Sequence, residues 1–208
     1  MDLRTIHLGE LPALLELQEK VYKGLENKEV LQTLTRAEFK AIIQQGFIIG
    51  AYDEGKLAGT RSMYIPSPDE EEHLAENAGI DDRDSVIYSE ISFIKSAVRG
   101  QGLQTRMGER LLEKVRSDGR FEYVLTTVMP NNIPSLKDKF KLGFRIVDTA
   151  YKYNGKKRHV MQLDLSEGYE PSGAPRFIHY KDTEWMLLNG ADYAGCGFDG
   201  EYIKYYRK

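Results

Sequence analysis

Residues 86–119 decide the fold of this chain, and they read VIYSEISFIKSAVRGQGLQTRMGERLLEKVRSDG. The first part, residues 86–94, is rich in β-branched and aromatic side chains, which predicts a strand. From Leu103 onward, apolar residues recur every four positions, which predicts an amphipathic helix that ends near Gly119. Gly100 and Gly102 therefore lie where a strand turns into a helix.

This turn is expected to expose main-chain N–H groups. The first N–H groups of a helix have no acceptor within the helix, and the helix dipole makes that end positive. A glycine turn at a helix start is therefore suited to binding a phosphate or a diphosphate. Two glycines are also common in ordinary turns of this kind, so the local pattern leaves both interpretations open.

Two motifs together resemble the GNAT superfamily of N-acetyltransferases. The first is Arg99-Gly-Gln-Gly-Leu, which matches the family's Arg-x-x-Gly-x-Gly/Ala signature except that Gln104 replaces the small residue at the last position. The second is Asn132-Ile-Pro-Ser, about 30 residues further on, followed by Gly143-Phe. The resemblance covers residues 3–164.

The resemblance implies a mixed α/β (α+β) fold with a mostly antiparallel central sheet flanked by helices. Residues 1–165 would form the acetyltransferase domain. Residues 166–208 lie beyond the resemblance. Their short strand patterns predict a C-terminal β-rich extension that covers a sheet edge or contacts a second copy in a homodimer.

The resemblance also implies that acetyl-CoA is the co-substrate. No metal is expected, because the four histidines lack the spacing of metal ligands. The diphosphate of acetyl-CoA would bind at the glycine turn, and its pantetheine arm would lie between strand 86–94 and the next strand, 121–129. The residues implied in this binding are Phe93, Ile94, Arg99, Gly100, Gln101, Gly102, Leu103, Gln104, Thr105, Asn132 and Ser135. Asn132 and Ser135 are equally suited to capping a helix.

Glu90 is the candidate general base, because a primary amine must lose a proton before it attacks a thioester. Strict alternation along the strand places Glu90 on one face with Tyr88 and Ser92. Partial burial there would raise the pKa of the carboxyl group toward a useful value. The alternative interpretation is that Glu90 pairs with a basic side chain or faces solvent.

The group that protonates the leaving thiolate is not apparent from the sequence. Many relatives use a Tyr seven residues after the Asn of the second motif, and this chain has Lys139 there. Tyr88, Tyr151 or Tyr153 are candidate replacements, and solvent water is another.

The sequence is compatible with three functions. The leading one is an N-acetyltransferase that acts by direct attack of a small-molecule or peptide amine in a ternary complex. The second is a module that binds acetyl-CoA as a sensor with little or no turnover, suggested by Gln104 and by the missing Tyr. A nucleotide-binding protein fits less well, because the turn lacks the Gly-x-x-x-x-Gly-Lys-Ser/Thr pattern.

Composition excludes several other classes of protein. The 208 residues are 41% hydrophobic and 29% charged with a net charge of −3, as in a soluble globular protein and unlike a dedicated nucleic-acid binder. No apolar run is long enough to span a membrane, and no signal peptide is evident. The single Cys196 suits a reducing compartment, so a cytoplasmic location is predicted. Cys196 has no neighbouring His or Asp in the sequence, so it is not expected to act as a nucleophile. The four histidines lack the spacing of metal ligands, and His159 is expected to be structural.

Residues 69–84 carry eight acidic side chains. Such a run is usually a solvated surface loop. The alternative interpretation is an acidic rim that attracts a cationic amine substrate.

Outside the two motifs, the sequence predicts helices near residues 11–21 and 35–45, the second with a capping box of Thr35 and Glu38. Hairpins are predicted around Asp53-Glu-Gly and Asn154-Gly. Beyond a linker at 166–175, short strands are predicted at 176–180, 185–188 and 202–206.

Overall fold

The computed structural model describes residues 1–166 and 168–208, which form two compact units. The first unit comprises residues 1–65 and 88–120, and the second comprises 66–87 and 121–208. Residue 167, within the predicted linker, lies outside the described residues.

The strands and α-helices alternate along the chain in a mixed α/β pattern. In chain order they are β1 (Asp2–Thr5), α1 (Leu11–Lys23), α2 (Arg36–Gln45), β2 (Phe47–Asp53), β3 (Lys56–Tyr64), α3 (Leu74–Ala78), β4 (Val86–Ile94), α4 (Leu103–Asp118), β5 (Tyr123–Val128), α5 (Ile133–Lys141), β6 (Arg145–Lys152), β7 (Lys156–Asp164), β8 (Arg176–His179), α6 (Thr183–Asn189), β9 (Tyr193–Phe198) and β10 (Tyr202–Arg207).

The strands of the first unit pair in the order β1-β2-β3-β4, and each of these pairs is antiparallel. Helices α1 and α2 bury their apolar stripes against this sheet in one cluster that includes Leu14, Phe39, Ile48 and Phe93. The capping box that begins α2 is present as predicted. Helix α4 contacts β2 and β3.

The strands of the second unit follow the order β5-β7-β6-β9-β10-β8, again with antiparallel neighbours. The mixed α/β class and the mostly antiparallel sheet flanked by helices are therefore confirmed. Within the described residues, every helix is too short or too polar to cross a membrane.

Two predictions for the second unit are wrong in part. Residues 185–188 form part of helix α6 instead of a strand, because Asp182 caps it by accepting a hydrogen bond from the N–H of Trp185 at 3.1 Å. The acidic run 69–84 is not a loop throughout: Leu74 and Ala75 are buried in the short helix α3, so the apolar residues within the run anchor it.

Candidate active site

The turn between β4 and α4 has the conformation that its glycines predict. Gly100 has a φ of +79°, and Gly102, the N-cap of α4, has a φ of +65°. Side chains other than glycine rarely adopt such angles. A Cβ added at either position would meet no heavy atom of the described residues within 4 Å, so the space beside this turn is open. A ligand can therefore approach the main chain closely here.

The start of α4 provides the donors that an anion needs. Leu103 is buried and fixes the helix against the sheet, and the helical hydrogen bonds begin with Arg106 N–H to the carbonyl of Gly102 at 3.1 Å. First-turn N–H groups lie ahead of that bond and have no acceptor one turn back. No acidic side chain lies in the first turn to compete for these donors. The residues present thus fit a bound diphosphate.

Gln104 departs from the family signature, and its side chain is turned toward the sheet. Its amide Nε2 donates to Oγ of Ser92 on β4 at 3.3 Å. Its main-chain carbonyl accepts a hydrogen bond from Nη1 of Arg61 on β3 at 3.0 Å. Arg61 is not among the site residues predicted from the sequence. A charged residue in the middle of an apolar strand was the available signal, because arginine is rarely buried without a specific partner.

Arg99 is exposed, and its Nε donates to the carbonyl of Ile94 at 3.4 Å. The side chain therefore folds back toward the end of β4, although the residue remains exposed. Phe93 and Ile94 are themselves buried. Gly100, Gln101 and Gly102 are exposed.

Strand β4 contains a β-bulge that the sequence did not predict. Its pairing with β3 runs from Met63 opposite Ser89 to Arg61 opposite Ser92, so two residues of β4, Glu90 and Ile91, lie opposite one residue of β3. Such a bulge shifts the alternation of side chains by one position. The prediction of a common face is therefore wrong: Tyr88 lies on the opposite face of the strand from Ser92.

Glu90 lies in this bulge and is exposed, so the expected partial burial of its carboxylate is wrong as well. Tyr88 is buried, and its ring centroid lies 6.4 Å from that of Tyr64 on β3. The residue at the bulge is therefore exposed, whereas the phenol of Tyr88 packs against the neighbouring strand.

The second motif lies in the second unit and has a clear structural role. Asn132 is the N-cap of α5, where its Oδ1 accepts a hydrogen bond from the N–H of Ser135 at 3.3 Å. Lys139, at the position of the usual Tyr, is buried, and its ammonium lies 5.2 Å from the ring centroid of Phe144.

The surroundings of Cys196 and His159 indicate structural roles for both residues. Burial raises the pKa of the Cys196 thiol to about 11, so at neutral pH it stays protonated and is a poor nucleophile. His159 is fully buried on β7, and its Nδ1 lies 2.9 Å from Oγ1 of Thr149. In the part of the chain that the structure describes, no group of three or more His, Cys, Asp or Glu side chains is placed to hold a metal ion.

A model of the acetyltransferase (GNAT) family matches residues 11–144 of the chain. No curated protein shows a significant sequence match.

Solved structures with a similar fold include a putative acetyltransferase from Salmonella typhimurium with its cofactor acetyl-CoA, at 17% identity and a TM-score of 0.60, covering 84% of this chain and 99% of that chain. The NAA60 protein of Arabidopsis thaliana in complex with acetyl-CoA is 11% identical with a TM-score of 0.63, covering 80% and 99%. The ribosomal-protein-S18-alanine N-acetyltransferase of Escherichia coli is 13% identical with a TM-score of 0.60, covering 83% and 98%.

Proposed function

The chain belongs to the acetyltransferase (GNAT) family, and we propose that it transfers an acetyl group from acetyl-CoA directly to an amine while both are bound. The observation that carries this proposal is the open turn with two positive-φ glycines ahead of α4. The N–H groups of Gln101, Gly102, Leu103, Gln104 and Thr105 would hold the diphosphate there, with Gly100 leaving room and Arg99 nearby as a cation. Acetyl-CoA supplies the acetyl group as an activated thioester.

Strand β4 would provide the remaining interactions. Main-chain groups of Phe93 and Ile94 would orient the pantetheine arm, and an N–H there would polarise the thioester carbonyl. Asn132 and Ser135 would add contacts beyond their capping role. Much of the acceleration would come from holding the amine next to the thioester.

Glu90 would accept the amine proton through water, as its exposed position in the bulge allows. Tyr88 would act as the acid that protonates the departing thiolate, with solvent as the alternative. Lys139 does not fit that acid role, since its ammonium is buried beside Phe144.

Release of free thiol on mixing the protein with acetyl-CoA and a panel of amines tests the proposal. Thiol release that depends on the amine supports transfer. Tight binding of CoA without thiol release under any amine would instead support an acetyl-CoA sensor. Calorimetry should show binding of CoA and none of ATP or NAD; the reverse would contradict the proposal.

We further propose that the acceptor is a cationic amine, on a small molecule or a peptide, because part of the acidic run is exposed and can attract cations. Asp69, Glu71 and Asp81 are exposed. Two other members have structural partners: the carboxylate of Glu72 accepts from the N–H of Tyr153 at 3.2 Å, and Glu76 pairs with Arg83 at 2.6 Å.

A triple variant, Asp69→Asn with Glu71→Gln and Asp81→Asn, tests this proposal. It should raise the KM for a polycationic amine about three- to ten-fold at low salt and change the KM for a singly charged amine less. The measurement is the KM of both amines at two salt concentrations.

The control removes the same net charge elsewhere, through Glu26→Gln, Glu54→Gln and Glu109→Gln, all at exposed positions. Equal effects of the two triple variants would contradict a dedicated acidic rim, because only the overall charge would then matter.

A further inference from the structure

Arg61 is a buried arginine in the middle of β3, with 1% of its surface exposed. Placing a guanidinium inside a sheet is costly unless its donors are used, so the bonds it makes there call for an explanation. One of these bonds is made by Nη1 and goes to the main-chain carbonyl of Gln104, in the first turn of α4, at 3.0 Å.

Gln104 is held a second time by its side chain. Its Nε2 donates to Oγ of Ser92 at 3.3 Å, and Ser92 lies directly opposite Arg61 in the pairing of β3 with β4. Two adjacent strands thus hold one residue of the helix, by its main chain from one strand and by its side chain from the other. We call Arg61, Ser92 and Gln104 the first-turn lock.

We propose that Arg61 is a positioning residue for diphosphate binding, acting through the first-turn lock; this rests on the proposed function. A peptide group is planar and trans, so its C=O and N–H point in opposite directions. The carbonyl of Gln104 and the N–H of Thr105 belong to the same peptide group. A charged donor on that carbonyl fixes the direction of the N–H and polarises it toward an anion on the other side.

The lock also accounts for the departure from the family signature at this position. A long side chain at position 104 would reduce the open space beside the turn if it pointed outward. Tying its amide to Ser92 keeps the side chain against the sheet, so the main chain stays accessible.

The test compares Arg61→Met, which keeps most of the side-chain length without the charge, with Arg61→Lys, which keeps the charge on a single donor nitrogen. Arg61→Met should weaken CoA binding about ten-fold by calorimetry, and raise the KM for acetyl-CoA equally, while kcat at saturation stays within about two-fold. Arg61→Lys should restore most of the affinity.

Two further variants complete the design. Ser92→Ala releases the Gln104 side chain and should weaken CoA binding about three-fold. This variant tests the first-turn lock if Arg61→Met does not fold. Arg116→Met, an exposed arginine in the last turn of the same helix, is the control and should leave CoA affinity unchanged.

The outcomes separate the two proposals. A wild-type chain that binds no CoA contradicts the proposed function itself. A wild-type chain that binds CoA, with Arg61→Met and Ser92→Ala binding it equally well, contradicts the lock alone. A loss of kcat that matches the loss of affinity also contradicts the lock, because it indicates a general disturbance of the fold.

Discussion

Gly102 and Gly119 begin and end the same helix in the same left-handed conformation. Their φ angles are +65° and +77°, and an added Cβ at either position would meet no atom within 4 Å in the part of the chain that the structure describes. Changing either to Ala should therefore destabilise the fold by a similar amount, about 1 kcal/mol. Only Gly102→Ala adds a methyl group where the diphosphate is proposed to bind, so it should weaken CoA binding at least about ten-fold.

Gly119→Ala is thus a matched control, because it introduces the same backbone strain at a position where no ligand is proposed to bind. Urea unfolding measures the stability of both variants, and calorimetry measures their affinity for CoA. Equal affinities in the two variants would mean that the turn ahead of α4 does not contact the ligand.

Glu90→Gln tests the proposed base at the bulge. The change removes the proton acceptor and keeps the size of the side chain, so kcat should fall about a hundred-fold while CoA affinity is unchanged. Glu109→Gln, at an exposed position on α4, should alter neither quantity. If Glu90→Gln turns over amines at the wild-type rate, another group or bulk water removes the proton.

At the level of the elements, the order of the strands and helices was largely predictable, because each has its own local pattern. Strand β4 and helix α4 have the predicted bounds, and the helix ends at a left-handed glycine. The β4 bulge was not predictable, since it appears only in the pairing with β3. The face of every side chain beyond Ser89 depends on that pairing, so the relation of Glu90 to Tyr88 and Ser92 could not be deduced from alternation.

In the C-terminal tail, too, local sequence patterns did not predict every element. Strand β9 was missed because glycines at 195 and 197 weaken any strand signal. Gly195 is explained by packing: a Cβ there would come within 3.1 Å of the side chains of Ile203 and Tyr205 on β10. The apolar run at 185–188 suggested a strand, but an N-cap and packing of Trp185 against Tyr205 favour a helix. Tertiary contacts outweigh local propensity in both cases.

Helix α5 allows the two roles of Asn132 to be separated. Asn132→Ala removes the cap and should cost about 1 kcal/mol of unfolding free energy, whereas Asn132→Ser keeps an acceptor and should cost little. If the side chain also binds acetyl-CoA, both variants should weaken CoA binding, and calorimetry reads this directly. Asp182→Ala, which uncaps α6, is the control and should lower stability without changing CoA affinity. A fully recovered affinity in Asn132→Ser would assign Asn132 to capping alone.

For the molecule as a whole, the pH dependence of stability has two components with separate windows. The pKa of Glu10 is lowered to about 2, chiefly by its hydrogen bond with Arg4, so its contribution is constant above about pH 5 and is lost only in stronger acid. Burial lowers the pKa of His159 to about 3 from 6.5, which means that the folded protein holds this ring neutral. Burial also lowers the pKa of His73, so this residue changes the stability in the same direction as the pH falls.

Between pH 6.5 and pH 5 the unfolded chain therefore binds protons at these histidines that the folded chain excludes, so stability should fall as the pH falls. For His159 alone the loss should be about 2 kcal/mol over this range. The folded protein resists protonation because Nε2 of His159 is buried with no hydrogen-bond partner among the described residues. His159→Asn, which can keep the bond to Thr149, should flatten the dependence, as measured by urea unfolding at pH 7, 6 and 5. A wild-type stability that stays constant from pH 7 to 5 would mean that His159 accepts a proton within the folded protein. Water would then have to reach its buried ring.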